Sequence, residues 1–288
     1  MILSGKALAD ELQDEIRLKI ASLPTPPGLA VVLLGDNASS LAYVGMKRKA
    51  CQAVGIQAFY HQLPVSTSES HLLNLIDALN RDLAVDGILV QLPLPPHINS
   101  EKVVAAIDPD KDADGFHPIN LGKLLLGHPG GFIPCTPLGI KVLLERSHIS
   151  TEGREVVIVG RSAIVGKPLA ALLMQNAPGC NATVTVVHSR SQNVQAHTLR
   201  ADILVAAIGS PRFIKEEMVK EGAVVIDVGI NREEDPQMPQ GYRIVGDVDY
   251  NSVSKKCSAI SPVPKGVGPM TVAMLLQNTL LSYQRKHA

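Results

Sequence analysis

The stretch Glu155-Val156-Val157-Ile158-Val159 runs directly into Gly160-Arg161-Ser162-Ala163-Ile164-Val165-Gly166, and this junction decides the fold. The mostly β-branched run reads as a buried strand, the glycine permits a tight turn, and a helix is expected from about Lys167. A helix N-terminus set against a glycine turn offers unpaired N–H groups that attract anions, so the segment suits a phosphate. It departs from the G-x-G-x-x-G spacing. Ser162 stands at the second glycine position, and the third glycine falls one residue late, at Gly166. Alone, the turn also suits a plain strand-to-helix connection without a ligand.

The alternation continues outward. Strands are expected at 155–159, 182–188, 202–208 and 223–228, and in the first half at 29–34, 57–63 and 87–92. Helices are expected at 5–22, 39–54 and 69–82, with a last one at about 271–285. Strands separated by helices imply right-handed crossovers and parallel sheets, hence an α/β fold. The Pro/Gly-rich stretch 127–137 marks a boundary, with a helix at 138–146 crossing it, and 261–269 marks a second. The expected division is an N-terminal α/β catalytic domain, 1–137 plus 269–288, and a C-terminal Rossmann-type domain, 138–268, with a ligand cleft between them.

Composition agrees and excludes much. The 288 residues correspond to about two domains at ~150 residues each. Hydrophobic residues at 45% and charged residues at 19% supply a full core and exclude wholesale disorder. Lys+Arg and Asp+Glu both number 27, so no basic excess points to a nucleic-acid partner. The apolar runs are strand-sized, far below the ~20 residues of a membrane span, so no membrane partner is expected. Asp10, Glu11, Asp14 and Glu15 among spaced apolar residues read as an amphipathic helix rather than a signal peptide. The cysteines at 51, 135, 180 and 257 form no CxxC pair, which fits free thiols in a cytoplasmic protein. The nine histidines show no HExxH spacing, so no metal site is expected.

The strand at 182–188 narrows the ligand. In an NAD enzyme a carboxylate near the end of this strand holds the ribose 2′-hydroxyl. Here Ser189-Arg190-Ser191 follows, with no acid. Arg and Ser bind a 2′-phosphate that a carboxylate would repel, and Arg161 adds a second guanidinium, so the residues point to NADP.

In the first half, Tyr43 and Lys47 are four apart on one helix face. The run Lys47-Arg48-Lys49 alone reads as a solvated face. Gln91, however, lies at the end of the 87–92 strand, cut off by Pro93 and Pro95, where side chains face the ligand crevice of a parallel sheet. Asp110-Lys111-Asp112-Ala113-Asp114-Gly115 lacks calcium-loop spacing, and its carboxylates can instead read the donor edge of a heterocycle.

Six motifs stand in one order: Tyr43-x-x-x-Lys47, Val90-Gln91-Leu92-Pro93, Asp112-x-Asp114-Gly115, Pro134-Cys135-Thr136-Pro137, Gly160-Arg161-Ser162-x-Ile164-Val165-Gly166, and Pro262-Val263-Pro264-x-Gly266-Val267-Gly268-Pro269-Met270-Thr271. In that order the chain resembles the methylenetetrahydrofolate dehydrogenase/cyclohydrolase family along nearly its whole length, at the size of the bacterial type without a synthetase domain. The resemblance implies NADP-dependent oxidation of methylenetetrahydrofolate to the methenyl cation, then hydrolysis to 10-formyltetrahydrofolate. It implies Lys47 as the central residue of the hydrolysis, Gln91 as its hydrogen-bonding partner, Tyr43 packed on the folate and Asp114 on the pterin ring. It further implies folate contacts from Val90, Leu92, Pro264, Gly266, Val267 and Gly268, cofactor contacts from Gly160, Arg161, Ser162, Ile164, Val165, Gly166, Ser189, Ile230 and Thr136, and a homodimer.

Simple chemistry accords with these roles. Hydride transfer needs positioning above all. Hydration needs a proton acceptor, and a lysine serves near neutral pH when desolvation and a cationic substrate lower its pKa. A carboxylate accepts two N–H bonds from an amino-pyrimidinone edge. Thr136 and Pro137 are expected to cap and start the crossing helix. The family usually has a glycine where Lys265 stands. The plain reading is a lysine at negative φ pointing to solvent; the sharper one is a contact to the glutamate tail of folate. The rivals are a monofunctional NAD-dependent relative, an idle nucleotide-binding protein and a shikimate-type dehydrogenase. Arg161 opposes the first, and the Tyr43, Lys47, Gln91 and Asp114 set opposes the others.

Overall fold

The computed structural model describes every residue except Pro239 and Gln240, with the backbone but not the side chain of Ser39. In chain order its elements are α1 (Gly5–Ala21), β1 (Gly28–Leu34), α2 (Ala38–Val54), β2 (Gln57–Leu63), α3 (Glu69–Arg81), β3 (Gly87–Val90), α4 (Ser100–Ala105), α5 (Pro118–Leu126) and α6 (Cys135–Arg146). There follow β4 (Glu155–Val159), α7 (Gly166–Leu173), β5 (Thr183–Val187), α8 (Val194–Thr198), β6 (Ile203–Ala206), a 3-10 turn (Glu216–Met218), β7 (Val224–Asp227), β8 (Asn231–Glu234), β9 (Tyr242–Val245), α9 (Tyr250–Val253), β10 (Ala259–Ile260) and α10 (Val267–Lys286). The chain divides into two compact units, Asp10–Cys135 with Val272–Ala288, and Met1–Ala9 with Thr136–Thr271.

The first of these units holds a parallel sheet in the order β2-β1-β3. β1 lies in the centre and all seven of its residues are buried, which is why it reads as an unbroken apolar run. Helix α3 turns Leu72, Ile76 and Leu79 onto Ala30, Val32, Ile88 and Val90, and Ser68 Oγ caps it by accepting the His71 N–H. The last four turns of α10 are fixed by buried polar bonds. Asn278 Nδ2 donates to the carbonyls of Ala113 and Ile133 at 3.0 and 3.1 Å, and Ser282 Oγ donates to those of Asp86 and Asp110 at 2.6 and 2.7 Å. These bonds hold both flanks of the 110–114 segment.

The second unit holds five parallel strands in the order β10-β7-β6-β4-β5, with the antiparallel pair β8-β9 beside them. β4 has β5 on one side and β6 on the other, so the strand order reverses at β4/β6. In α/β sheets the ligand crevice opens at the carboxyl ends of the strands at that reversal. The core beneath is aliphatic: Val157, Val159, Leu204, Val225 and Val248.

Several boundaries differ from those expected. Residues 1–9, assigned to the catalytic domain with 1–137, lie in the unit of β4 to β7, because the Leu3 N–H donates to Ile260 O at 2.8 Å and the Ile260 N–H to Met1 O at 3.0 Å. The expected cuts after 137 and 268 fall instead after Cys135 and Thr271. β3 stops at Val90, so Gln91 follows the strand rather than ending it. α6 starts at Cys135, which puts Thr136 inside the first turn instead of at the cap, where its hydroxyl pairs with that of Thr271 at 3.0 Å. α10 starts at Val267, not near 271, because Pro269 lies in a first turn that needs no N–H from it.

Candidate active site

Tyr43 and Lys47 lie one turn apart on α2. Lys47 is only 5% exposed, and an ammonium buried to that degree needs partners. Its Nζ donates to Gln91 Oε1 at 3.0 Å and stands 5.7 Å from the centroid of the Tyr43 ring, within cation–π range. Gln91 is itself held. Its backbone N–H donates to Val32 O at 2.8 Å, and its Nε2 donates to Leu92 O at 2.8 Å. With the amide nitrogen committed, the amide oxygen faces the lysine. Val90 is buried and Leu92 half-buried, and both line a narrow apolar cleft with Ile107, Phe116 and Asp114.

Asp114 is placed by a turn built around a different carboxylate. Asp112, 1% exposed, accepts the N–H groups of Gly115 and Phe116 at 3.1 Å each and of His117 at 2.7 Å, and the Asn120 amide at 2.9 Å. Gly115 has φ +78°, and a Cβ there would clash with Ile133 and Pro134, so the turn requires glycine. Among the described residues no hydrogen bond reaches the Asp114 carboxylate. Burial pushes its pKa up, the Lys47 charge opposes this, and Asp112 adds to the rise. Burial and the Asp114 charge likewise push Tyr43 up. Cys51, one turn beyond Lys47, is pushed up to about 12 by burial against the pull of Lys47 and stays a thiol. Tyr43, Lys47, Gln91, Leu92 and Asp114 thus form one cluster: a held cation, an aromatic face and a carboxylate with both oxygens open to a ligand.

The other expected residues belong to the second unit. Gly160 ends β4 with φ +127°, and a Cβ on it would strike Ala207 O; one on Gly166 would strike Gly160 O. The turn is therefore as tight as two glycines permit. Ser162 Oγ accepts the Val165 N–H at 3.1 Å and the Gly166 N–H at 3.4 Å, so the serine in the second glycine position closes the turn onto α7. Arg161, Ser162, Ala163 and Ile164 are exposed. Ser189 and Arg190 are exposed just past β5, and no ion pair among the described residues engages Arg161 or Arg190. Ile164 and Ile230, 44% and 51% exposed, present apolar surface at the carboxyl ends of the strands. The open guanidiniums, the absence of an acid after β5 and the helix N-terminus fit a dinucleotide carrying a 2′-phosphate.

The 262–268 loop lies in this unit too. Pro264 is exposed, while Gly266 and Val267 are buried; a Cβ on Gly266 would clash with Pro262 O. Lys265 has φ +81° and is exposed. That angle corrects the plain expectation of negative φ, because the Lys265 carbonyl is turned to accept the Lys6 N–H at 3.0 Å. Sequence reading missed Asp227 and Asp247, buried among the loops after β6 and β7. An acid ending β7, and Gly-Asp directly after β9, were their only local signals. A groove of about 360 Å³ lined by Arg154, Asp202 and Lys220 lies at the amino ends of β4, β6 and β7, away from the phosphate turn.

Comparisons with known proteins identify two family domains in the chain. The catalytic-domain model of tetrahydrofolate dehydrogenase/cyclohydrolase matches residues 3–114, and the NAD(P)-binding-domain model of the same family matches residues 134–287. The chain is 55% identical over 286 residues to the bifunctional protein FolD of Protochlamydia amoebophila, covering 99% of this chain and 98% of that one. The solved structure of the bifunctional FolD methylenetetrahydrofolate dehydrogenase/cyclohydrolase of Campylobacter jejuni is 46% identical, with TM-score 0.93 and 99% of each chain covered. That of the Trypanosoma brucei dehydrogenase-cyclohydrolase, complexed with NADP and an inhibitor, is 38% identical, with TM-score 0.94 and 100% and 98% covered.

Proposed function

The chain belongs to the tetrahydrofolate dehydrogenase/cyclohydrolase family, and on that premise we propose how its residues divide the work. It is a bifunctional enzyme that oxidises 5,10-methylenetetrahydrofolate to 5,10-methenyltetrahydrofolate with NADP⁺ and hydrolyses the product to 10-formyltetrahydrofolate. When bound, NADP⁺ supplies the hydride acceptor. Arg161 and Ser189 hold its 2′-phosphate, Gly160, Ser162, Val165 and Gly166 shape the turn under its pyrophosphate, and Ile164 and Ile230 cover apolar faces, with Thr136 at the start of α6.

In the folate site Tyr43 packs on the substrate, and Asp114 accepts two N–H bonds from the pterin edge with its unoccupied oxygens. Val90 and Leu92 add contacts within this unit; Pro264, Gly266, Val267 and Gly268, in the other unit, are read as folate contacts on the family resemblance alone. With its amine uncharged, Lys47 Nζ takes a proton from the water as its oxygen bonds to the methenyl carbon, then passes that proton to N5 as the carbon–N5 bond breaks, while the carbinol O–H proton leaves to solvent as the formyl C=O forms. Gln91 Oε1 holds the amine in line for both transfers. The observation that carries this reading is the 3.0 Å bond between buried Lys47 and Gln91 beside an open carboxylate. Lys47→Met is expected to abolish hydrolysis of methenyltetrahydrofolate and to leave NADP⁺ affinity unchanged. Hydrolysis at the wild-type rate would refute the role.

The protein is read as a homodimer. β2 is an edge strand, whose unpaired edge a second copy would cover. No described helix is long and apolar enough to cross a membrane. The four free cysteines suit a reducing, cytoplasmic setting.

A further inference from the structure

Two buried aspartates sit at the end of the sheet where the cofactor docks. Asp247 is fully buried, and its carboxylate accepts four donors. Three are consecutive backbone N–H groups of the loop after β6: Ile208 at 2.6 Å, Gly209 at 2.9 Å and Ser210 at 2.9 Å. The fourth is Asn231 Nδ2 at 2.9 Å. Three successive N–H groups converging on one anion form a nest, filled here from within the chain. Asp227, 4% exposed, accepts the N–H groups of Gly229 at 3.0 Å, Asp247 at 2.9 Å and Val248 at 3.0 Å. The pair therefore joins three passages of chain: 208–210, 229–231 and 246–248.

These passages border the phosphate turn, since Gly160 has no room for a Cβ against Ala207 O. Ile230 is bracketed by the pair. Gly229 before it is bonded to Asp227 and leaves no space for a Cβ beside Asp247, and Asn231 after it is bonded to Asp247. Ile230 itself points outward. With the 2′-phosphate end of the dinucleotide at β5 and the pyrophosphate at β4, the nicotinamide half extends toward β6 and β7. We propose that Asp227 and Asp247 are positioning residues of the dehydrogenase, holding Gly209 and Ile230 in the arrangement that receives the nicotinamide half. The inference rests on the cofactor reading above. A carboxylate is required because every hydrogen-bond partner of the Asp247 side chain is a donor. An amide would turn its own N–H groups toward one of them.

The test is steady-state kinetics of Asp247→Asn and Asn231→Ala beside the wild type. NADP⁺-dependent oxidation of methylenetetrahydrofolate and cofactor-free hydrolysis of methenyltetrahydrofolate are both measured. In Asp247→Asn, kcat/KM for NADP⁺ falls about tenfold, the effect of one buried acceptor lost, and mostly through KM. In Asn231→Ala it falls about threefold, since only one of four donors is removed. Hydrolysis stays within about twofold of wild type in both, because it consumes no cofactor. An unchanged KM for NADP⁺ in both variants overturns the proposal, as does hydrolysis falling in step with oxidation in Asn231→Ala. If Asp247→Asn does not fold, Asn231→Ala decides by the same criteria. A wild type that does not reduce NADP⁺ overturns the cofactor reading instead.

Discussion

Asp114 and Asp227 are both acids pushed up by burial, yet they meet different company. Asp114 receives no hydrogen bond from the described residues and faces Lys47, whereas Asp227 accepts three backbone N–H groups. The first is open to a ligand; the second is already satisfied and shapes the chain. For Asp227 burial outweighs those hydrogen bonds and raises the pKa from 3.8 to about 6. The folded chain then holds a proton that the unfolded chain releases near 3.8, so this group's contribution to stability is full below about pH 4 and lost as pH rises through about 6. Thermal melts across that window should show the wild type losing Tm relative to Asp227→Asn as pH rises. A gap that stays constant or moves the other way would mean the hydrogen bonds outweigh burial. Lys47 and Gln91 were legible because a lysine four from a tyrosine and a glutamine cut off by prolines are local patterns. Asp247 was not, because its partners at 208–210 lie far off in the chain.

At the scale of elements, legibility followed hydrophobicity. The strands β1, β2 and β4 stand where their apolar runs are, within a residue, and the helices α1, α2 and α3 likewise. β8 and β9 were missed, since Asn231–Glu234 is wholly polar. That hairpin is secured by Glu233, which pairs with Arg212 at 2.5 Å and with Arg243 at 2.5 Å, and long-range ion pairs leave no periodicity to read. The loop into α10 is the element where backbone and side chain disagree. Lys265 holds φ +81°, a conformation that costs a side chain ~1 kcal/mol relative to glycine. Lys265→Gly is therefore expected to raise Tm by about 1–3 °C, the shift that ~0.5–1 kcal/mol produces in a chain of this size. A lower Tm would show that the lysine side chain makes a contact that offsets the strain.

For the whole molecule, the α/β class with two parallel sheets was readable from alternating runs, and two units were expected from length. The allotment of the first nine residues was not readable. It depends on Leu3 meeting Ile260, a pairing across nearly the full chain. The chemistry divides as the units do. One carries the lysine, glutamine, tyrosine and carboxylate that suit folate hydrolysis; the other carries the glycine turn and arginines that suit NADP. That one chain performs both steps, using NADP⁺ in the oxidation alone, is open to direct test. The most direct measurement is a spectrophotometric assay of the purified protein. Methylenetetrahydrofolate is supplied with NADP⁺ or with NAD⁺, and methenyltetrahydrofolate is then supplied alone. NADPH is expected to form, with NAD⁺ the poorer acceptor, and methenyl absorbance to fall well above the buffer rate. Reduction of NAD⁺ only, or methenyl loss no faster than in buffer, would contradict this expectation.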